Sequence, residues 1–347
     1  MRARGLALAL VAVGALAAPL DSGAALPIEG TMPSLAGATA CINSPPLSPD
    51  ESKGKVVLLD VWTYTCINWL RTEPYVRAWA DKYKDHGLVV IGVHSPEFPF
   101  EHDVANVRRA AVDMRVTYPI AVDNDFAIWN ALGNQYWPAL YLVDAQGRIR
   151  YHQFGEGGFE ETERAVQQLL LEAGRSGVPR DLVKVEGAGA EAPAAWKDLK
   201  SPENYVGYGR SESFASAGGA LPDKSRVYEV PARLRLNQWA LSGDWTITRG
   251  AVALNKANGR IAYRFHARDL HLVMGPAVGG KPVRFRVLVD GKPPQAAHGA
   301  DVDDQGRGTV SAQRLYQLVR QPSQVGDRTF EIEFLDPGVV AYAFTFG

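Results

Sequence analysis

The stretch from Asp60 to Pro74 reads DVWTYTCINWLRTEP and sets one cysteine where an apolar run gives way to a helix-like pattern. A thiol at a helix start faces unpaired backbone N–H groups and the positive end of the helix dipole, and both favour thiolate. Cys66 is therefore expected to ionise near neutral pH and to attack disulfides. A dithiol site needs C-x-x-C, one thiolate attacking and the second thiol resolving the mixed disulfide. Here the run is Cys66-Ile67-Asn68-Trp69, so a tryptophan stands in the second thiol's place. The other cysteine of the chain, Cys41, is the candidate second thiol. A Cys41–Cys66 bond requires their Cα atoms to lie within about 7 Å.

The elements around Cys66 are those of an alternating α/β domain. VVLLDVW (Val56–Trp62) and GLVVIGV (Gly87–Val93) are continuous apolar runs suited to strands buried on both faces. Helical spacing follows Cys66 as far as Tyr83, with Pro74 inside it as an expected kink. A second helix is expected in EHDVANVRRAAVDM, and further strands in YPIAV, PALYLVD and IRYHQF. A closing helix ends near Gly174. Between residues 175 and 200 the chain turns rich in Gly, Ala and Pro and reads as a linker. Beyond it the period changes to two, in RIAYRFHA, LHLVM, VRFRVLV, TFEIEFLD and VAYAFTF, which indicates an antiparallel β-sandwich.

At 347 residues two domains are expected, and a net charge of -1 leaves no footprint for nucleic acid. The opening MRARGLALALVAVGALAAPL has two arginines, an apolar run and small residues, the pattern of a secretory signal peptide. The organisation is therefore read as a signal peptide over 1–25, an α/β domain over 26–174, a linker over 175–200 and a sandwich over 201–347. A periplasmic or secreted location follows from that reading.

The first domain resembles the thioredoxin-fold redoxins, in particular the TlpA- and DipZ-like exported thiol-disulfide oxidoreductases. The resemblance rests on Asp60, Trp62 and Pro74 at their offsets from Cys66, and on Trp137-Pro138 at the family's cis-proline position. WTYTCINW and GLVVIGVHSPEF point to the DipZ branch, whose β-sandwich resembles a carbohydrate-binding module; SPENYVGYGRSESF and EFLDPGVVAYAFTFG fit that domain. The resemblance implies an α/β thioredoxin-like fold with a central mixed sheet, followed by an all-β sandwich. It also implies that Asp60 assists proton transfer. Trp62, Trp69, Trp137 and Pro138 would shape a substrate groove, and an external thiol would act as reductant. His94 and Glu97, at the end of the second strand, are candidates to lie beside Cys66.

Two other readings compete. Thr63 stands three residues before Cys66, the T-x-x-C spacing of peroxiredoxin-like antioxidant peroxidases, which would bind peroxide beside the thiolate with Arg71, Arg108 or Arg109 above it. Alternatively the first domain is a non-catalytic scaffold and the sandwich binds a glycan or protein, with Trp239, Trp245, Tyr263 and Tyr316 offering flat rings for sugar stacking. His266 and His271 fall on opposite faces of a regular strand, so no metal site is expected. FGEGGFE lacks nucleotide-loop spacing, and no cofactor is expected.

Overall fold

The computed structural model describes residues 25–47, 53–277, 279–322 and 324–347. The signal peptide expected over residues 1–25 lies outside them but for its last position.

Seven strands form the first sheet: β1 (Gly30–Thr31), β2 (Ala40–Ile42), β3 (Val56–Trp62), β4 (Leu88–His94), β5 (Ile120–Val122), β6 (Ala139–Val143) and β7 (Arg148–Phe154). Their spatial order is β1-β7-β6-β3-β4-β5-β2. β4 runs parallel to β3 and to β5, while β6, β7, β1 and β2 pair antiparallel, so the sheet is mixed. All seven residues of β3 are buried, as its apolar run demands of a central strand. Helices α1 (Ile67–Tyr83), α2 (Val104–Asp113), α3 (Ala127–Ala131) and α4 (Phe159–Glu172) accompany the sheet. This is a thioredoxin-like fold, and α1 continues through Pro74.

The second half is all-β, and strand β8 (Asn204–Tyr205) opens it. Trp239–Ile247 pairs through its first half with Gly259–His266 and through its second with Val252–Leu254. One strand thereby joins two antiparallel halves, which close over a core that includes Trp245, Phe265, Phe285 and Phe330. The sandwich expected from the period of two is present as this folded-over sheet.

The two halves share packed surface. Tyr342 of the strand Val339–Phe346 lies 5.3 Å from the ring of Phe98 and 4.9 Å from that of Phe100. Val273, Leu315 and Ala343 join the core cluster of the first half. Arg71 on α1 reaches across to donate to the carbonyl of Phe346 at 3.3 Å.

The Gly/Ala/Pro-rich stretch between the halves is tied down along its length. Arg175 donates to Gly54 O, Gln167 to Asp181 O and Arg320 to Gly189 O. Val178 is buried, and the Val183 N–H bonds Glu163. The stretch read as a linker runs as a strap against α1 and α4. The partners are mostly backbone carbonyls, which every residue type carries.

Candidate active site at Cys66

Cys66 caps α1, with extended backbone (φ -72°, ψ 114°) and its carbonyl accepting from Leu70 N at 3.0 Å. It is half-buried, and its Sγ lies 3.7 Å from the carbonyl oxygen of Trp137. The Trp137–Pro138 peptide is cis. Trp137 donates its indole N–H to Ser95 O at 3.0 Å and packs on Trp129, so this tryptophan links the turn after β4 to the thiol. Trp137 and Pro138 thus stand beside Cys66.

The turn leading into α1 is held by a buried carboxylate. Glu101 Oε1 accepts from Thr65 N and Thr65 Oγ1, at 3.3 and 2.6 Å. Its Oε2 accepts from the backbone N–H groups of Glu97 and Phe98, at 2.7 and 2.8 Å. One carboxylate therefore sets residue 65 beside residue 97. Glu101→Gln turns its amide N–H group either toward the two N–H groups of Glu97 and Phe98 or toward that of Thr65, and is expected to cost about 2 kcal/mol in urea denaturation. An unchanged midpoint would show that the clamp adds nothing to stability.

Glu97 faces the second half of the chain. It accepts from the hydroxyl of Tyr205 and from Arg210 Nη1, the latter at 3.2 Å. Tyr205 also lies 3.2 Å from Glu203 Oε2, and the Arg210 guanidinium stacks 3.4 Å above the Tyr205 ring. Burial pushes the Cys66 thiol well up. The N–H groups of Trp69 and Asn68 oppose that, while the charges of Glu97 and Glu203 add to it. Burial and the charges of Glu97 and Glu203 thus act against the helix end, which was expected to favour thiolate at neutral pH.

Residues 28–170 match the Redoxin family, and residues 201–347 match a thioredoxin like C-terminal domain. The thiol-disulfide oxidoreductase YkuV of Bacillus subtilis is 33% identical over 141 residues, covering 41% of this chain and 95% of that protein. This chain belongs to the redoxin family. Protein DipZ of Mycobacterium bovis is 39% identical over 276 residues, 79% of this chain. The chain spans only 38% of that DipZ relative's length. The solution structure of a thioredoxin-like protein in the oxidized form is 33% identical, covers 41% of this chain and 96% of its own, and gives a TM-score of 0.38.

Within this redoxin Trp69 is fully buried. Its ring stacks on that of Trp62 with centroids 4.1 Å apart, and its indole N–H donates to Asp60 Oδ2 at 3.0 Å. Trp62 is fully buried as well, beside Gly92 on β4, where a Cβ would come within 2.8 Å of its Nε1. The groove role expected of Trp62 and Trp69 is corrected, because neither ring presents a surface to a substrate. Asp60 also accepts from the Tyr118 hydroxyl at 3.1 Å, and burial pushes its carboxyl up to about 7.

Cys41 sits on β2 opposite Ala121, and both cysteines are free. β2 and β3 are separated by β4 and β5, which puts roughly 14 Å between the strands at ~4.8 Å per step. The Cys41–Cys66 disulfide is thereby corrected, since that span is about twice what the bond tolerates.

His94 lies against Trp62 and Tyr64 with both ring nitrogens unpartnered, and burial lowers it to about 3. It is a neutral packing residue. Thr63 is fully buried beside Glu101. Arg71 is engaged by Glu156 at 3.3 Å, while Arg108 and Arg109 are exposed on α2. The charged groups acting most strongly on Cys66 are carboxylates, the reverse of what a peroxide-binding thiolate requires. Trp239, Trp245, Tyr263 and Tyr316 are all buried, which corrects their proposed role in sugar stacking.

Sequence reasoning named Glu97 but missed Glu101, Glu203, Tyr205 and Arg210. SPENYVGYGR was read only as a mark of the second domain. Nothing in its spacing signals contact with a loop 108 residues earlier.

Proposed function

We propose that the chain is a thiol-disulfide oxidoreductase acting through Cys66 alone on disulfides, with an external low-molecular-mass thiol as co-reactant. The observation that carries this reading is a half-buried thiol at the start of α1, set against the carbonyl that precedes Pro138. The second cysteine lies on an edge strand away from it. Cys66 thiolate attacks one sulfur of a disulfide RS–SR′, a Cys66–S–S–R bond forms, and R′S⁻ leaves and takes a proton. The external thiol, as thiolate, then attacks the mixed disulfide and releases Cys66. Each step exchanges one S–S bond for another, so electrons balance without a further acceptor. Half-buried Trp137, beside the buried Pro138, would receive an extended substrate segment. The leader-like N-terminal sequence supports action outside the cytoplasm, where disulfides persist.

Trapping tests this reading. The protein is incubated with a disulfide-bonded test protein, quenched in acid and mapped by mass spectrometry. A mixed disulfide on Cys66, absent from Cys66→Ser, is the expected result. Adducts confined to Cys41, or none, would overturn the proposal.

A further inference from the structure

The outer face of the C-terminal half carries a hollow that its residue sizes dictate. On the paired strands Gly259–His266 and Asp327–Phe334, Arg260, Arg264, Glu331 and Glu333 share that face as long charged side chains. Ala262 stands between the two arginines, and Ala240 lies beside it on Trp239–Ile247. Small side chains thus occupy the place where longer ones would fill the space. Residues 230–234 arch over the gap, and buried Leu234 rests on Ala240 and Ala262. Beside that contact, roof and sheet enclose a cavity of about 510 Å³. Small-molecule sites have volumes in this range.

Four polar side chains line the cavity: Arg233 from the overlying segment, and Arg264, Thr329 and Glu331 from the sheet. Arg264 and Thr329 are opposite in register, and Arg264 Nη1 donates to Thr329 Oγ1 at 3.2 Å. Arg264 Nη2 lies 3.6 Å from Asp327, whose carboxylate also meets His266 at 2.6 Å. A guanidinium has five N–H groups, so Arg264 keeps donors to spare. Arg233 is exposed and has no partner among the described residues. Glu331 is paired with Arg260 at 3.8 Å, a loose contact. Thr329 and Glu331 are two residues apart on one strand face, roughly 7 Å at ~3.3 Å per residue. The cationic and anionic parts of the lining are therefore about a dipeptide apart, since two extended residues span the same length. A free amino acid, with its charges one residue apart, reaches one part and misses the other.

We propose that this cavity binds a short zwitterionic peptide, a dipeptide in length, with its carboxylate between Arg233 and Arg264 and its ammonium on Glu331. The planar guanidinium groups suit a carboxylate, and Thr329 fixes the orientation of one of them. Leu234 and Ala262 offer apolar surface to a side chain of the peptide. The site uses no residue of the Cys66 reading, so the two stand or fall separately.

Isothermal titration calorimetry of the full chain with glycyl-leucine tests the proposal, and saturable binding in the millimolar range or tighter is expected. Glycyl-leucinamide lacks the carboxylate and N-acetylglycyl-leucine lacks the ammonium; each should bind roughly five- to tenfold more weakly. Arg233→Ala should weaken glycyl-leucine by a similar factor and leave glycyl-leucinamide unchanged. Glu331→Gln should weaken glycyl-leucine and leave N-acetylglycyl-leucine unchanged. Near-UV circular dichroism checks the fold of both variants, whose substituted side chains lie on the outer face. The matched losses, each variant blind to the end group its residue recognises, support the proposal. Absence of saturable binding, or equal losses on all three peptides, overturns it. Free leucine bound as tightly as glycyl-leucine overturns it too, since the two ends of the cavity would then not be spanned.

Discussion

Trp69→Cys, which would restore the dithiol spacing, is expected to destabilise the reduced protein by about 3–5 kcal/mol. The tryptophan is fully buried, stacked on Trp62, and its indole donates to Asp60. A cysteine leaves most of the indole volume empty, and a core that is already close-packed collapses only partly into such a void. It also withdraws a donor from a buried carboxylate, which adds a desolvation penalty of about 1–3 kcal/mol where nothing replaces it. Trp69→Phe separates the two effects. It keeps most of the stacked ring and loses only the N–H, so its cost should lie near that second figure alone. Urea denaturation of both variants in excess reductant makes the comparison. A Trp69→Cys protein as stable as wild type would mean that the indole is not what holds this part of the core. The departure from C-x-x-C would then have no packing reason.

The sequence made the central elements legible because their signals are local. The run Val56–Trp62 is apolar but for Asp60 and forms β3 over those same residues, and the change of period past residue 200 marks the all-β half. The proline of Trp137-Pro138 was located by the resemblance to the redoxins, whose cis-proline stands just before such a strand. What stayed hidden depends on contacts between distant segments. The thiol was expected to ionise easily because the helix start is written next to Cys66, whereas the opposing carboxylates come from residues 97 and 203. Trp62 and Trp69 were assigned to a groove from their position near the cysteine, yet their rings turn inward onto each other. Cys41 was kept as a possible partner because sequence distance says nothing about which sheet edge a strand will join. Composition marked residues 175–200 as a linker, while most of the bonds that pin them use backbone carbonyls, to which composition is blind.

Those hidden contacts converge on one region. Glu101 ties the turn before Cys66 to the turn after β4, and Glu97 in that turn meets Tyr205 and Arg210 of the C-terminal half. The surroundings of the thiol are therefore built by both halves. Cutting the chain at the composition change near residue 200 would remove charged groups from the site as well as a neighbouring domain.

Asp60→Asn is expected to remove much of one slope from the pH dependence of stability. The carboxyl is pushed up to about 7 by burial, against hydrogen bonds from Trp69 and Tyr118. In the unfolded chain the same acid ionises near 3.9. Between those two values the folded protein binds the proton and the unfolded chain does not, so stability falls as pH rises. The three-unit gap corresponds to roughly 4 kcal/mol, present below the lower value and lost once pH passes about 7. Asparagine keeps an oxygen for the indole and the phenol, while its amide group enters a site where Asp60 Oδ1 has no partner, at about 1–3 kcal/mol. The variant should thus be the less stable protein at pH 5, and the difference should move in its favour by roughly 3 kcal/mol at pH 8. Glu73 and Glu101 are also raised by burial and slope the same way in both proteins, so only the difference between the two curves reports Asp60. A difference that stays constant from pH 5 to 8 would place the Asp60 titration elsewhere. A difference that moves as expected fits an acid kept as the shared acceptor of Trp69 and Tyr118, at a position where a dithiol redoxin would use it to serve a second thiol that this chain lacks.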